Sequence, residues 1–216
     1  MRSIIFAASK GGVGKTTLAC ACAVEAARRA KVAIIDLDPQ QSTARFLQLR
    51  GHPTNPGLIP VEKSLVDAER AASRTGADFL IVDTPPALMT RLSPAIKIAD
   101  LVVIPCRASP LDVEAIEPVV ELCRSAKRPF VFVVNATQPR TPLTRETVEY
   151  LKLEGQVLDV MIAQRPVYAA AMINGLTAPE VEKDGKAGEE IRALWKALLK
   201  LANDGTPQTA AEKKGR

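Results

Sequence analysis

The chain has 216 residues, enough for one domain with a small appendage, and its 47% hydrophobic and 25% charged residues are ordinary for a globular protein with a sizeable core. Aromatics make up only 4%, so Ala, Val, Leu and Ile must fill that core, and the apolar stretches fall well short of the ~20 residues that span a bilayer. Four cysteines without a C-x-x-C pair, and a lone His52 in a Pro/Gly-rich stretch, argue against a zinc site or a His-based triad, while a net charge of +5 permits contact with nucleic acid or anionic membrane without establishing it.

In chain order, Ile4 to Phe6 form a β-prone run that gives way to Ser9-Lys10-Gly11-Gly12-Val13-Gly14-Lys15-Thr16-Thr17. Leu18 to Arg29 is Ala-rich, free of Gly and Pro, and reads as a helix. Strand, glycine-rich turn and helix form the context of a phosphate-binding loop. Glycines let successive backbone N–H groups turn toward an anion, and the helix N-terminus adds partial positive charge. Lys15 would reach the β- and γ-phosphates, and the Thr16 hydroxyl would ligate Mg²⁺. The general pattern G-x-x-x-x-G-K-[ST] is not fully met. Ser9 stands where its first glycine belongs, and Lys10 adds a second lysine at the leading edge. A Gly/Lys-rich surface turn is the plainer alternative, but it would rarely fit the whole box with a strand and a helix on either side.

Val32 to Leu37 reads as a buried parallel strand ending in Asp36-Leu37-Asp38-Pro39-Gln40-Gln41. Two carboxylates at a strand's C-terminal edge sit where open α/β sheets bind ligands; helix capping and turn chemistry are the competing explanation. Ser42 to Arg50 is expected as a helix, residues 51–57 as a loop, Ile59 to Val61 as a short strand and Glu62 to Arg74 as an amphipathic helix. Ala77 to Val82 is a further strand, closed by Asp83-Thr84-Pro85-Pro86, the Walker B arrangement in which the carboxylate holds Mg²⁺. Leu88 to Ala99 reads as a helix that restarts at Pro94. Asp100 to Pro105 reads as a strand, and Leu111 to Ser125 as a helix kinked at Pro118. Phe130 to Val134 is a strand ending at Asn135, whose amide can offer donor and acceptor to a purine edge or cap the following turn. Thr144 to Glu154 is a helix and Gln156 to Met161 a last strand. Glu189 to Leu201 closes the chain as an amphipathic helix with Ile191, Leu194, Trp195 and Leu198 on one side. The domain is therefore expected over 1–201, with 202–216 a disordered polar tail. Six or seven apolar strands alternating with helices predict an α/β fold, a doubly wound and mainly parallel sheet flanked by helices.

The box K-G-G-x-G-K-T-T at Lys10 to Thr17 resembles the deviant Walker A box of the ParA/MinD family of P-loop ATPases. Asp36 to Gln40 resembles its D-x-D-P-Q, and Ile162 to Ala171 its I-x-x-R-x-x-Y-x-x-A stretch. The resemblance implies that ATP or ADP is held by Lys10, Gly11, Gly12, Val13, Gly14, Lys15, Thr16 and Thr17, with Asn135, Arg165 and Pro166 around the base. It implies Mg²⁺ at Thr16, Asp36 and Asp83, and catalysis by Lys10, Lys15 and Asp38. Lys10 would contact nucleotide held by a partner subunit, Asp38 would orient or activate the attacking water, and Thr84-Pro85-Pro86 would switch with the γ-phosphate. An ATP-bound homodimer, nonspecific DNA gripped by residues such as Arg165, Lys183, Lys186, Arg192, Lys196 and Lys200, and a stimulating partner of the ParB/ParG kind follow from the same resemblance. With no secretory signal visible after Met1-Arg2, the expected location is the cytoplasm, on the nucleoid, with no membrane partner. The short chain looks most like the small ParF-like plasmid-partition members, with chromosomal, chemotaxis-cluster and carboxysome positioning relatives also open. A MinD-like membrane-cycling ATPase is the runner-up. It needs a basic-apolar amphipathic helix at the extreme C-terminus, where residues 206–216 carry no large apolar side chain. A P-loop metabolic synthetase and a non-enzymatic nucleotide-binding adaptor rank below it.

Overall fold

A computed structural model of the chain describes residues 1–86, 89–138 and 141–204. In chain order the elements are β1 Arg2–Phe6, α1 Lys15–Ala27, β2 Val32–Asp36, α2 Ser42–Leu49, β3 Gly57–Leu58, α3 Leu65–Arg74, β4 Phe79–Asp83, α4 Met89–Lys97 and β5 Leu101–Arg107. They continue with α5 Pro110–Glu114, α6 Glu117–Ser125, β6 Phe130–Asn135, α7 Pro142–Glu154, β7 Gln156–Val157, α8 Pro166–Ile173, α9 Ala178–Val181 and α10 Lys186–Asp204. The strands form one seven-stranded sheet in the order β3-β2-β4-β1-β5-β6-β7, and every pairing is parallel.

Both faces of this sheet are buried, which is why its strands read as continuous apolar runs rather than alternating ones. Alternate residues of each strand feed two cores. Ile4, Phe6, Ile34, Ile81 and Val103 pack with Leu18 and Cys22 of α1 and with Ile191, Leu194 and Leu198 of α10. On the other face Ile5, Ile35, Leu80, Val82 and Val102 pack with Ala68 of α3, Leu92 and Ile96 of α4, Val119 and Cys123 of α6, and Leu151 of α7. All four cysteines are buried free thiols. Among the described residues no helix is long and apolar enough to cross a membrane.

The differences from the sequence reading have local causes. The edge strand is Gly57–Leu58, paired with Ala33 and Ile34, instead of Ile59 to Val61. Ile59 still donates to the Ile34 carbonyl, but Pro60 has no N–H and ends the ladder. The third helix starts at Leu65, because Ser64 takes the N-cap and accepts from the Asp67 N–H at 3.1 Å. Pro118 does not kink one long helix. It lies in the first turn of α6, where a missing N–H is harmless, and the chain breaks into α5 and α6 ahead of it. Helix α4, by contrast, runs across Pro94. The last strand is only Gln156–Val157; beyond it the chain follows β6 through isolated bonds such as Ile162 N–H to the Val134 carbonyl at 3.0 Å. Helix α9 was not anticipated, and is started by a capping box between Thr177 and Glu180. The closing helix extends over Lys186–Asp204, which takes residues 202–204 from the expected tail, and the remainder of that tail lies outside the described residues.

Candidate functional site

Parallel register assembles the site. Phe6 and Asp36 each lie opposite Asp83, so the loop after β1 and the carboxylates ending β2 and β4 share one level of the sheet edge. The chain leaves β1 through buried Ala7 and Ala8 and enters α1 at Gly14. Gly12 and Gly14 adopt φ of +74° and +99°, the left-handed region that side chains disfavour. At Gly14 space is also closed, since a Cβ would lie 2.1 Å from the Asn135 amide nitrogen.

That nitrogen donates to the Val13 carbonyl at 2.7 Å in a buried contact. Asn135 thus braces the loop from the end of β6. Its amide nitrogen is engaged there, though the residue still lines the adjoining cleft. Lys15 is 6% exposed, and its ammonium donates to the Lys10 carbonyl at 3.2 Å. Burial lowers its pKa, opposed by the charges of Asp83 and Asp38. The Thr16 hydroxyl donates to Asp83 Oδ2 at 2.7 Å, and the Thr43 hydroxyl donates to the same oxygen at 2.9 Å. Asp83 is fully buried, and its Oδ1 is the one buried side-chain oxygen among the described residues without a hydrogen-bond partner. Desolvation raises its pKa to about 6, against the pull of the two threonine hydroxyls.

Asp36, read in the sequence as part of the Mg²⁺ shell, lies opposite Asp83 on the neighbouring strand. Its Oδ1 accepts from the Asp38 N–H and its Oδ2 from the Ala44 N–H, both at 2.9 Å. It ties the loop carrying Asp38 to the start of α2. Asp38 is partly exposed at the mouth, with Oδ1 accepting from the Gln40 N–H at 2.9 Å. Thr84 is buried, with its hydroxyl on the Phe6 carbonyl at 2.8 Å. Lys10 lies apart from this group, paired with Asp112 of α5 at 2.6 Å.

Beside the loop opens a cleft of about 680 Å³, lined by Gly12, Gly14, Thr17, Asn135, Gln138, Gln164, Arg165, Pro166 and Tyr168. Its far wall is set by Glu190 of α10. Glu190 Oε1 accepts from Arg165 Nη2 at 2.7 Å, and its Oε2 accepts from the Tyr168 hydroxyl at 2.7 Å and the Ala163 N–H at 3.2 Å. Thr43, Glu190 and Asp112 were missed in the sequence. Each is a single polar residue on a helix, and only its distant partner gives it a role. Of the basic residues considered for DNA, Arg165 is held by Glu190 and Arg192 donates to the Lys183 carbonyl at 3.2 Å. Lys183, Lys186, Lys196 and Lys200 are exposed.

A strand-to-helix loop with left-handed glycines, a lysine folded back on the loop carbonyls and a threonine bonded to a strand-end aspartate define a P-loop nucleotide-binding protein. Residues 4–178 match the family described as the CobQ/CobB/MinD/ParA nucleotide binding domain, and the chain belongs to it. It is similar to the maintenance of carboxysome distribution protein A of Halothiobacillus neapolitanus, with 27% identity over 202 residues, 88% of this chain and 93% of that one. Among solved structures it resembles the MinD cell division protein of Aquifex aeolicus (TM-score 0.77, 19% identity, 92% of this chain and 97% of that one). It also resembles the Cyanothece McdA(D38A)–ATP complex (TM-score 0.72, 19% identity, 96% and 98%). At these identities the solved structures speak for the fold alone.

The donor set fits a magnesium nucleotide: an orphaned buried carboxylate oxygen stands beside the Thr16 hydroxyl, at the foot of a loop whose Gly11 and Gly12 leave the backbone open. Burial of the Asp83 carboxylate carries a cost that a substitution should expose. Burial moves Asp83 from the usual 3.8 in the unfolded chain to about 6 in the fold. Ionised Asp83 therefore destabilises the fold, with the full effect above pH 6 and none below about pH 4. Asp83→Asn is expected to stabilise the nucleotide-free chain at pH 7 by about 1–2 kcal/mol, less than the pKa shift alone implies because the new amide donor lacks a partner. Urea unfolding at pH 7 and pH 4.5 checks it, and the gain should shrink at the lower pH.

Proposed function

We propose that the chain is a ParA-type partition or positioning ATPase that binds ATP, pairs with a second copy, grips DNA without reading its sequence and hydrolyses ATP when a partner protein stimulates it. The observation that carries the reading is the convergence of Lys15, Thr16, Asp83 and Asp38 around one loop at the edge of the sheet. The loop amides and the Lys15 ammonium neutralise the β- and γ-phosphates. Thr16 and Asp83 would hold Mg²⁺, which when bound supplies further charge neutralisation on the phosphates. Asp38, anchored through Asp36 and open to the mouth, orients the attacking water. The Asn135–Arg165–Pro166 cleft takes the base, and Lys10 serves the nucleotide of the facing subunit.

A relative that spans 88% of this chain is by name a protein of carboxysome distribution, which supports positioning of a cargo as the task. Arg28, Arg29, Arg192 and Lys196 border one cleft near the C-terminal helix, with Lys200 exposed on the same helix, and supply the positive charge a DNA backbone requires. The protein would then act in the cytoplasm on the nucleoid, with a ParB/ParG-like stimulator. The membrane-cycling alternative is disfavoured by α10: its apolar side, Ile191, Leu194, Trp195 and Leu198, is buried against the core.

The test is ATP turnover of the wild type and Asp38→Ala, with and without nonspecific DNA. Asp38→Ala is expected to lose on the order of 100-fold or more in kcat while retaining nucleotide and a stable ATP-bound dimer. Undiminished turnover would overturn the catalytic assignment. DNA affinity of the ATP-bound protein is expected to fall steeply between 50 and 200 mM salt, and a flat profile would remove the DNA claim.

A further inference from the structure

The leading edge of the phosphate loop is held by a different part of the fold from its body. Val13 is braced by Asn135 from β6, and Lys15 folds onto the loop itself. Ser9 and Lys10 are instead tied to α5. The Ser9 hydroxyl donates to the Ala115 carbonyl, and the Lys10 ammonium lies 2.6 Å from Asp112 Oδ1. The two halves of this ion pair are unequally exposed, 41% for the Lys10 side chain and 5% for that of Asp112. The lysine sits at the surface and can leave. The carboxylate cannot follow it, because Asp112 is set in the first turn of α5 with its own N–H on the Ser109 carbonyl at 3.0 Å. The neighbouring thiol, Cys106, is pushed up to about 12 by burial and then by the Asp112 charge, so it stays neutral beside the carboxylate.

We infer that Asp112 is a latch for Lys10, a positioning residue that keeps the ammonium in its own subunit and sets the threshold at which a second copy can recruit it. The inference rests on the reading in which Lys10 serves phosphate across a dimer interface. Departure of Lys10 strands a buried carboxylate, and leaving a buried charge without its partner is the main penalty of breaking the pair. Only a site with enough negative charge compensates the ammonium for leaving. The γ-phosphate supplies that charge, and a diphosphate supplies less. The latch thereby makes pairing selective for the triphosphate state, and Asp112 contributes to that selectivity without touching nucleotide.

Sedimentation velocity of the full chain with ATPγS and with ADP tests this on the wild type, Asp112→Asn and Lys10→Ala. Removing the Asp112 charge is expected to tighten the ATPγS dimer at least tenfold and to give a dimer with ADP at concentrations where the wild type stays monomeric. A residue that merely supported the fold would shift both states the other way, toward weaker dimers and a lower melting temperature. An Asp112→Asn dimer unchanged or weaker than wild type, alongside loss of the dimer in Lys10→Ala, would overturn the latch while leaving the cross-subunit role of Lys10 standing. Dimers unaffected by Lys10→Ala, or absent in the wild type, would remove the underlying reading and the latch with it. Should Asp112→Asn not fold, Asp112→Ser, which also removes the charge, goes through the same comparison.

Discussion

Lys15→Ala is expected to weaken ATP binding by more than 100-fold, to the limit of detection in isothermal titration. The side chain is 6% exposed, and its ammonium already lies against a loop carbonyl, so it is preplaced for whatever anion enters the loop. Charge-assisted bonds contribute about 1.5–3 kcal/mol each, and a lysine serving two phosphates in a partly dehydrated loop makes more than one. The fold itself should survive. Burial already disfavours the charged form of Lys15, and removing it loses a desolvated ammonium along with its attraction to Asp83 and Asp38, two opposing effects. A melting temperature near wild type, together with absent binding, is the expected pair of results. Affinity within fivefold of wild type would show that the backbone amides alone hold the phosphates.

Gly14→Ala is expected to cost about 2–5 kcal/mol of stability, a large share of the ~5–15 kcal/mol of a typical domain. Two effects add. A φ of +99° strains any residue with a Cβ by about 1–2 kcal/mol, and a Cβ 2.1 Å from the Asn135 amide forces that side chain off the Val13 carbonyl, leaving a buried group unpaired at about 1–3 kcal/mol. Gly11 is the internal control. A Cβ there meets nothing within 4 Å and its φ lies outside the positive region, so Gly11→Ala should stay within about 1 kcal/mol of wild type. Urea unfolding measures both. In the double variant Gly14→Ala/Asn135→Ala the clash is absent, so its destabilisation should fall well short of the sum of the singles; strict additivity would refute the contact as the cause.

The loop from Ser9 to Thr17 was legible because its chemistry is local. The residues that form a phosphate nest must be consecutive, and the strand and helix flanking them announce themselves by composition. Asp83 was legible for a related reason, since a buried parallel strand is an unbroken apolar run and its last residue falls at the sheet edge whatever the topology. Element ends were less so. Pro118 was read as a kink in one helix, whereas it opens a second one, because a proline's effect depends on whether the N–H it lacks had a partner to lose.

What the sequence determined by itself is therefore the class of fold and the kind of ligand: alternating apolar strands and helices demand a covered parallel sheet, and one glycine-rich turn between them demands an anion. What only the tertiary structure decided is how each polar side chain is used. Asn135 braces Val13, Asp36 holds α2, Thr43 joins Thr16 on one Asp83 oxygen, Glu190 carries the wall of the cleft, and Asp112 holds Lys10. The physical reason is one of range. Apolar patterning and backbone turns act within a few residues along the chain, whereas a hydrogen bond or ion pair is set by which strand ends the sheet order brings together, and that order is written in no single segment.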